Sequence, residues 1–259
     1  MLPEFVRSAY RFAALGVPDI TISGGDPLLI DGLSPFLHQL RSHGIRSIKL
    51  DTVGRSLALN SNSLSHGTGE LLTQIDILGI PLDGWSNASS AVFRQGRASL
   101  FDETCTLLSA LDGYRLSPRV YVNTVLHRLN LAALPRIYRV LVRHRCVYHW
   151  NIFQYTPTDQ AAKHVNNALE ISDSAFEVAK RQFSSLVESQ PPSFEVEFAS
   201  VVDRLGKYLL INSDGLVWMP DAEGRTIGFG AVFDREEEIL RTWQETARCV
   251  RELASWATA

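Results

Sequence analysis

The chain is poor in cysteine, since only Cys105, Cys146 and Cys249 among its 259 residues carry a thiol. These three cysteines are scattered, so their spacing matches neither a disulfide framework nor a zinc or iron–sulfur site. We expect Cys105 and Cys146 to be buried free thiols, because cysteine is a common core residue. The residues alone therefore predict no metal site.

Long apolar runs and a surplus of one charge are also absent. The longest apolar runs are too short to cross a bilayer, and the amino-terminal M-L-P-E-F-V-R-S lacks the apolar region of a signal peptide. The formal net charge is −3 and the pI is about 6.2, which gives no basic surface for nucleic acid. We therefore expect a cytoplasmic protein that binds neither a membrane nor nucleic acid.

The composition is that of a globular α/β protein. Hydrophobic residues make up 45% of the chain and charged residues 20%, enough for one large core. Strand-like runs alternate with amphipathic helical segments, which favours a parallel sheet with helices outside it. No repeat, low-complexity tract or linker divides the sequence. We predict a single domain over residues 1–259, with a core of about 3–235 and a final helix over about 235–256.

Three segments outside the main strands have their own signals. Residues 55–69 are polar and are predicted to form a loop. Residues 207–220 predict a hairpin around Ser213-Asp214-Gly215. A helix is predicted over residues 2–15, and its spacing places on one face the side chains of Val6, Tyr10, Ala13 and Ala14.

The stretch from Ile20 to Leu29, I-T-I-S-G-G-D-P-L-L, organises the rest of the chain. A short β-branched strand stops at Gly24 and Gly25, which permit positive φ and let a ligand approach the main chain closely. Asp26 adds an acceptor, and Pro27 fixes the direction in which the chain leaves. An ammonium group would suit this turn. A tight strand-to-helix turn without a ligand explains the same residues equally well.

This stretch resembles the G-G-E/D-P motif of the radical S-adenosylmethionine (SAM) superfamily, whose turn binds the amino group of the SAM methionine. Its aspartate form is similar to that of the lysine aminomutase branch. Later motifs of the family have counterparts in the same order: T-V-G at 52–54, L-D-G at 82–84 and F-R-Q-G-R at 93–97. N-T-V-L-H-R-L-N from residue 123 and W-N-I-F-Q from residue 150 resemble viperin-like and related uncharacterised radical SAM proteins. The resemblance covers roughly residues 3–235.

The resemblance implies a fold, a cofactor and a set of binding residues. The fold would be a partial (β/α)6 barrel of parallel strands, lacking the first strand and the cluster loop, with a C-terminal hairpin and helix. The cofactor would be SAM. The sequence departs from the family at Val53 and Pro81, which remove an amide and a hydroxyl group. The residues implied to bind the cofactor are Gly24, Gly25, Asp26, Pro27, Thr52, Asp83, Arg94, Asn123 and Gln154.

The family's C-x-x-x-C-x-x-C motif, which holds a [4Fe–4S] cluster, does not occur in this sequence. As written, the chain is therefore not expected to cleave SAM reductively, and no catalytic residue is predicted. Either the recorded start lies too late and the cysteines are encoded upstream, or the protein is a cluster-free relative that binds SAM or a partner protein. We favour the first hypothesis, in which a radical SAM enzyme acts on a small molecule, nucleotide or peptide.

Two other expectations follow from the sequence. An α/β-barrel enzyme or phosphate binder unrelated to SAM is a third hypothesis, and G-F-G at 228–230 would be its phosphate loop. A missing first strand would leave the strand at 17–23 as an open sheet edge. We therefore expect the isolated chain to be poorly soluble or to dimerise through that edge.

Overall fold

The computed structural model describes residues 2–115, 117–157 and 167–257. Its strands are β1 (Asp19–Ile22), β2 (Ser47–Asp51), β3 (Ala58–Asn60), β4 (Ser63–Leu64), β5 (Ile77–Pro81), β6 (Arg119–Leu126), β7 (Val147–Gln154), β8 (Glu195–Ala199), β9 (Leu210–Ile211), β10 (Leu216–Pro220) and β11 (Thr226–Ala231). Its α-helices are α1 (Leu2–Ala14), α2 (Leu33–Ser42), α3 (Thr68–Thr73), α4 (Asn87–Ala91), α5 (Leu100–Asp112), α6 (Leu134–Leu141), α7 (Asp173–Ser189), α8 (Val201–Arg204) and α9 (Glu236–Ala257). Short 3-10 turns lie at Pro27–Leu29, Leu131–Ala133 and Asn167–Leu169.

The main sheet has six parallel strands in the order β1-β2-β5-β6-β7-β8. This order follows the chain without a reversal, and a helix lies in each connection. Right-handed crossovers that never reverse place their helices on the same side of a sheet. The helices therefore cover one face, called here the outer face, and the inner face is left for other groups. The predicted α/β partial barrel of parallel strands is confirmed.

The core lies between the outer face and the helices. Along β6, buried and more exposed residues alternate, as the pleat of a strand with one buried face requires. Trp150 is fully buried, and its indole Nε1 donates to Thr124 Oγ1 at 2.8 Å, so no polar atom of the ring is left unpaired. Fully buried side chains from both layers meet here, among them Leu50, Leu78 and Val122 from strands and Leu37, Leu107 and Ile137 from helices.

The C-terminal part forms a second, smaller core with α1. The predicted hairpin is confirmed as β9 and β10, and β11 extends it to three antiparallel strands. Gly215 in its turn has φ +85°, a backbone conformation that favours glycine. The residues of this core are Phe12, Val217, Val232, Ile239 and Leu240.

The helix predicted at the start of the chain is confirmed, but its predicted face is buried only in part: Val6 is buried and Ala13 packs on the main core, whereas Ala14 is exposed. Tyr10 is 52% exposed, whereas Ser8 is only 2% exposed. Ser8 Oγ donates to Glu236 Oε1 of α9 at 2.6 Å. The contact with α9 therefore accounts for the burial of Ser8, which the spacing of apolar residues in α1 cannot reveal.

The prediction that the polar segment 55–69 is a loop is wrong. The segment contains an antiparallel hairpin of β3 and β4 and the start of α3. Leu57 is 2% exposed and anchors the segment in the main core. Thr68 Oγ1 donates to the Leu57 carbonyl at 3.0 Å and so joins the start of α3 to the hairpin.

Two further expectations concern cysteines and membrane spans. Cys105 and Cys146 are free, as predicted, but half-buried rather than fully buried, and Cys249 is free and exposed. Burial raises the pKa of Cys105 to about 11. None of the helices in the described ranges combines the length and the apolarity that a membrane span needs.

Candidate functional site

The turn after β1 presents open main chain at the carboxyl edge of the sheet. Gly24 and Gly25 are exposed, and Gly24 has φ +125°. A Cβ atom added to either glycine would meet no other atom within 4 Å, so there is free space above the turn. Pro27 is buried and starts a 3-10 turn, while Asp26 Oδ1 accepts from Leu28 N at 3.2 Å. The turn is thus held in place at Asp26 and Pro27, and its main chain is accessible at Gly24 and Gly25.

A side-chain hydrogen bond joins this turn to the end of β2. Thr52 Oγ1 donates to Asp26 Oδ1 at 2.5 Å and accepts from Gly54 N at 3.0 Å. Thr52 is only 4% exposed, which holds its hydroxyl in place. Two predicted site residues from successive strand ends, Asp26 and Thr52, are therefore brought together.

Asp83 and Arg94 form a second group, at the end of β5. Asp83 is 2% exposed; its Oδ2 accepts from Arg94 Nε at 2.7 Å and its Oδ1 from Val125 N at 2.7 Å. Both carboxylate oxygens thus accept a hydrogen bond inside the protein, and Asp83 holds Arg94 in position. Arg94 keeps about a third of its side chain exposed, with its guanidinium over the Phe93 ring at 5.0 Å.

Asn123 lies on the inner face and belongs to a third group. Its Nδ2 donates to Asp51 Oδ1 at 3.3 Å, and its Oδ1 accepts from Asn151 Nδ2 at 2.9 Å. Asp51 also pairs with Lys49 at 3.2 Å. The hydrogen bond between Asn123 and Asp51 passes over Gly79, where a Cβ atom would lie 1.8 Å from Asp51 Oδ1. A glycine at position 79 is therefore what lets the Asp51 and Asn123 side chains meet across β5.

A wider set of polar side chains shares the inner face with Asn123. Side chains two positions apart in a strand point to the same face, and the pairing register brings these positions side by side. We call them the inner-face residues: Lys49, Asp51, Tyr121, Asn123, His149, Asn151, Glu195 and Glu197. Sequence reasoning found only Asn123. The available signal was four triplets in which one apolar residue separates two polar or aromatic ones, K-L-D, Y-V-N, H-W-N and E-V-E.

The end of this set beside β8 is acidic. His149 is 8% exposed and stacks on Tyr121, with ring centroids 4.8 Å apart. Its Nδ1 lies 3.1 Å from Glu195 Oε2, and its Nε2 lies 3.3 Å from Glu197 Oε2. Each ring nitrogen of His149 thus lies beside one carboxylate oxygen.

Gln154 does not join any of these groups. It is 2% exposed; its Nε2 donates to Asp173 Oδ1 at 2.8 Å, and its Oε1 accepts from Val201 N at 3.0 Å. Its amide connects β7 to α7 and α8, which satisfies the polar atoms of a buried amide.

Comparisons with known proteins support the fold. No family model and no curated protein matches the chain. The solved structure of Streptococcus suis SuiB matches with a TM-score of 0.59 and 11% identity over 83% of this chain and 53% of that chain. Streptococcus suis SuiB bound to S-adenosylmethionine matches with a TM-score of 0.54 and 12% identity over 83% of this chain and 52% of that one. The chain thus spans about half the length of these structures. At such identities the likeness establishes the fold alone, a partial barrel of parallel strands.

Proposed function

We propose that the protein binds SAM at the carboxyl ends of its strands, with the methionine ammonium on the main chain at Gly24-Gly25 and beside Asp26. The observation that carries this proposal is the hydrogen bond from Thr52 Oγ1 to Asp26 Oδ1 at 2.5 Å. It joins the two strand-end turns for which the sequence resemblance implies one shared site. The likeness of the fold to a SAM-bound structure also supports the proposal.

The G-G-D-P turn fits the charge and the size of the ammonium group. Asp26 Oδ1 is occupied by Leu28 N and Thr52 Oγ1, whereas Oδ2 has no hydrogen bond among the described residues. An anionic acceptor with a free oxygen suits a cation, and hydrogen bonds between charged groups are the stronger ones. The free space above Gly24 and Gly25 lets a ligand approach the main chain. SAM, when bound, supplies an activated sulfonium centre for group transfer or radical generation.

A [4Fe–4S] cluster does not fit the residues at hand. Within the part of the chain that the structure describes, no group of three or more His, Cys, Asp or Glu side chains is arranged to hold a metal ion. We therefore assign no reaction step to a cluster. The proposal for this chain is SAM binding, and a small molecule, nucleotide or peptide remains the proposed class of substrate.

Gly25→Ala tests the SAM site without disturbing the fold. The new Cβ would meet no protein atom within 4 Å and would occupy the space above the turn. We expect unchanged thermal stability and SAM affinity lowered by about tenfold or more, the loss expected when a charge-assisted hydrogen bond is removed. Calorimetric titration with SAM measures the affinity of the wild type and of Gly25→Ala.

Gly69→Ala is the matched control, since Gly69 lies in α3 and a Cβ there also meets nothing within 4 Å. It should bind SAM like the wild type. Wild-type protein that does not bind SAM, or Gly25→Ala that binds it unchanged, contradicts the proposal.

A second copy of the chain is the partner we propose for the open edge of β1. Among the strands that the structure describes, β1 is hydrogen-bonded to β2 alone. An unpaired edge can add a further strand, because its backbone donors and acceptors are free. Sedimentation velocity at increasing protein concentration should show a dimer. A monomer at all concentrations contradicts this proposal and leaves SAM binding untouched.

A further inference from the structure

Arg204, the last residue of α8, is a half-buried cation that has no carboxylate partner among the described residues. Burial lowers the pKa of its guanidinium, although electrostatic attraction from Tyr208 and Asp203 acts in the opposite sense. No carboxylate of the described residues forms an ion pair with it. Asp203 is the nearest candidate in the sequence, but its Oδ2 accepts from Ser200 N at 2.9 Å and from Ser200 Oγ at 2.8 Å.

Three neutral acceptors hold the Arg204 side chain in place. Its Nε donates to the Ser200 carbonyl at 3.2 Å, and its Nη2 donates to the Gln154 carbonyl at 2.6 Å and to Thr156 Oγ1 at 2.7 Å. Its Cζ lies 5.6 Å from the centroid of the Phe153 ring. The guanidinium is therefore oriented by oxygens that carry no compensating charge. Its third nitrogen, Nη1, has no hydrogen bond among the described residues.

Arg204 lies at the edge of the sheet where a ligand is expected. Gln154 ends β7, and α8 follows directly after β8. Because both strands are parallel to β1 and β2, Arg204 is at the same edge as the G-G-D-P turn. A single barrel edge thus carries an anionic turn at one end of the sheet and a cation near the other.

From this placement we infer that Arg204 is a binding subsite for an oxyanion, a carboxylate or phosphate group of the substrate. A charge withdrawn from water is costly unless an opposite charge compensates it. A guanidinium whose stem is already fixed presents its remaining N–H groups to a carboxylate or phosphate with little loss of entropy. The assignment of the anion to the substrate rests on the proposed SAM site, whereas oxyanion binding itself does not.

The direct test is NMR of the Arg204 Nε–Hε group, assigned with Arg204→Lys. Sodium phosphate and sodium acetate are titrated separately against sodium chloride at equal ionic strength. We expect phosphate and acetate to shift the Arg204 signal with saturation and chloride to leave it unchanged. In Arg204→Gln the affinity for phosphate, followed by the backbone amide of Thr156, should fall by about tenfold or more. Arg181→Gln, an exposed change in α7, should bind phosphate like the wild type.

A separate arm identifies the source of the anion. If SAM binds Arg204→Gln as tightly as it binds the wild type, the carboxylate of SAM is not the ligand of Arg204. This result supports an anionic group of the substrate as the ligand. Equal loss of SAM and phosphate binding overturns the assignment to the substrate. A shift with chloride equal to that with phosphate overturns the oxyanion subsite altogether. Should Arg204→Gln fail to fold, the wild-type titration decides the question. Failure of SAM binding alone would remove the proposed function and leave the anion result standing.

Discussion

The contact between α1 and α9 allows a stability prediction with a defined magnitude. Ser8 Oγ donates to Glu236 Oε1 at 2.6 Å, and Arg11 Nη1 donates to Glu236 Oε2 at 2.9 Å. Ser8 and Glu236 are each only 2% exposed. A buried carboxylate is costly unless its oxygens are bonded, so the Ser8 hydroxyl is needed to satisfy the charge of Glu236. Ser8→Ala removes this donor and changes nothing else of similar size.

The expected loss follows from two opposing contributions. A hydrogen bond to a charged group contributes about 1.5–3 kcal/mol to the free energy of unfolding. Ala is the better helix former by about 0.5 kcal/mol, which offsets part of the loss. We therefore expect Ser8→Ala to lower the free energy of unfolding by about 1–2.5 kcal/mol.

Urea unfolding measures this change, and Ser185→Ala provides the matched control. Ser185 is exposed within α7, and its Oγ donates only to the Arg181 carbonyl of the same helix at 3.3 Å. Its replacement should leave stability unchanged or raise it by about 0.5 kcal/mol. If Ser8→Ala is as stable as Ser185→Ala, with equal urea dependence, the hydroxyl of Ser8 does not stabilise the contact and the reasoning fails.

Three further predictions each concern a single residue. Burial raises the pKa of Glu236, but its hydrogen bonds lower it by more, so that the pKa in the folded protein lies below the ordinary value. As the pH falls, the Glu236 carboxylate is therefore protonated in the unfolded chain before it is protonated in the folded protein. The wild type should thus lose stability below about pH 5 more steeply than Glu236→Gln, as measured by urea unfolding at several pH values. Gly79→Ala should lower the free energy of unfolding by about 1–3 kcal/mol, because its Cβ would lie 1.8 Å from Asp51 Oδ1. Exposed Cys249 should react with a thiol reagent before Cys105, whose pKa is raised to about 11 by burial, as followed by absorbance.

Each of these has an outcome that contradicts it. Equal pH profiles of wild type and Glu236→Gln would mean that Glu236 titrates alike in both states. For Gly79→Ala, the double variant with Asp51→Ala should recover part of the loss, since the clashing oxygen is gone; strictly additive losses argue against the clash. Simultaneous reaction of all thiols in the folded protein would contradict the protection of Cys105.

The main sheet could be predicted because each of its strands has a strong local signal. The final helix, predicted over about 235–256, is found at Glu236–Ala257. The β3–β4 hairpin could not be found in this way, since its strands are only three and two residues long and lie in a mostly polar segment. Its position depends on Leu57 entering the main core, a contact between distant parts of the chain.

The candidate site was predictable only where its residues are neighbours in the sequence. The G-G-D-P turn was found because Gly, Asp and Pro act on the backbone locally. Other contacts of the site depend on which strand ends are adjacent. These are the hydrogen bond from Thr52 to Asp26 and the hydrogen bonds that Asp83 accepts from Arg94 and Val125. Gln154 shows the same limit, because its partners lie in α7 and at the start of α8.

The inner-face residues connect the site to the fold itself. Parallel sheets are usually apolar on both faces, because helices cover both. Here Leu50, Val122 and Trp150 are fully buried on the outer face, while the residues between them carry polar groups on the inner face. A register slip of one residue in β6 would turn Val122 inward and break the contacts of Asn123 with both Asp51 and Asn151. The alternation that builds the core therefore also builds the polar surface, and changes that loosen β6 should weaken stability and ligand binding together.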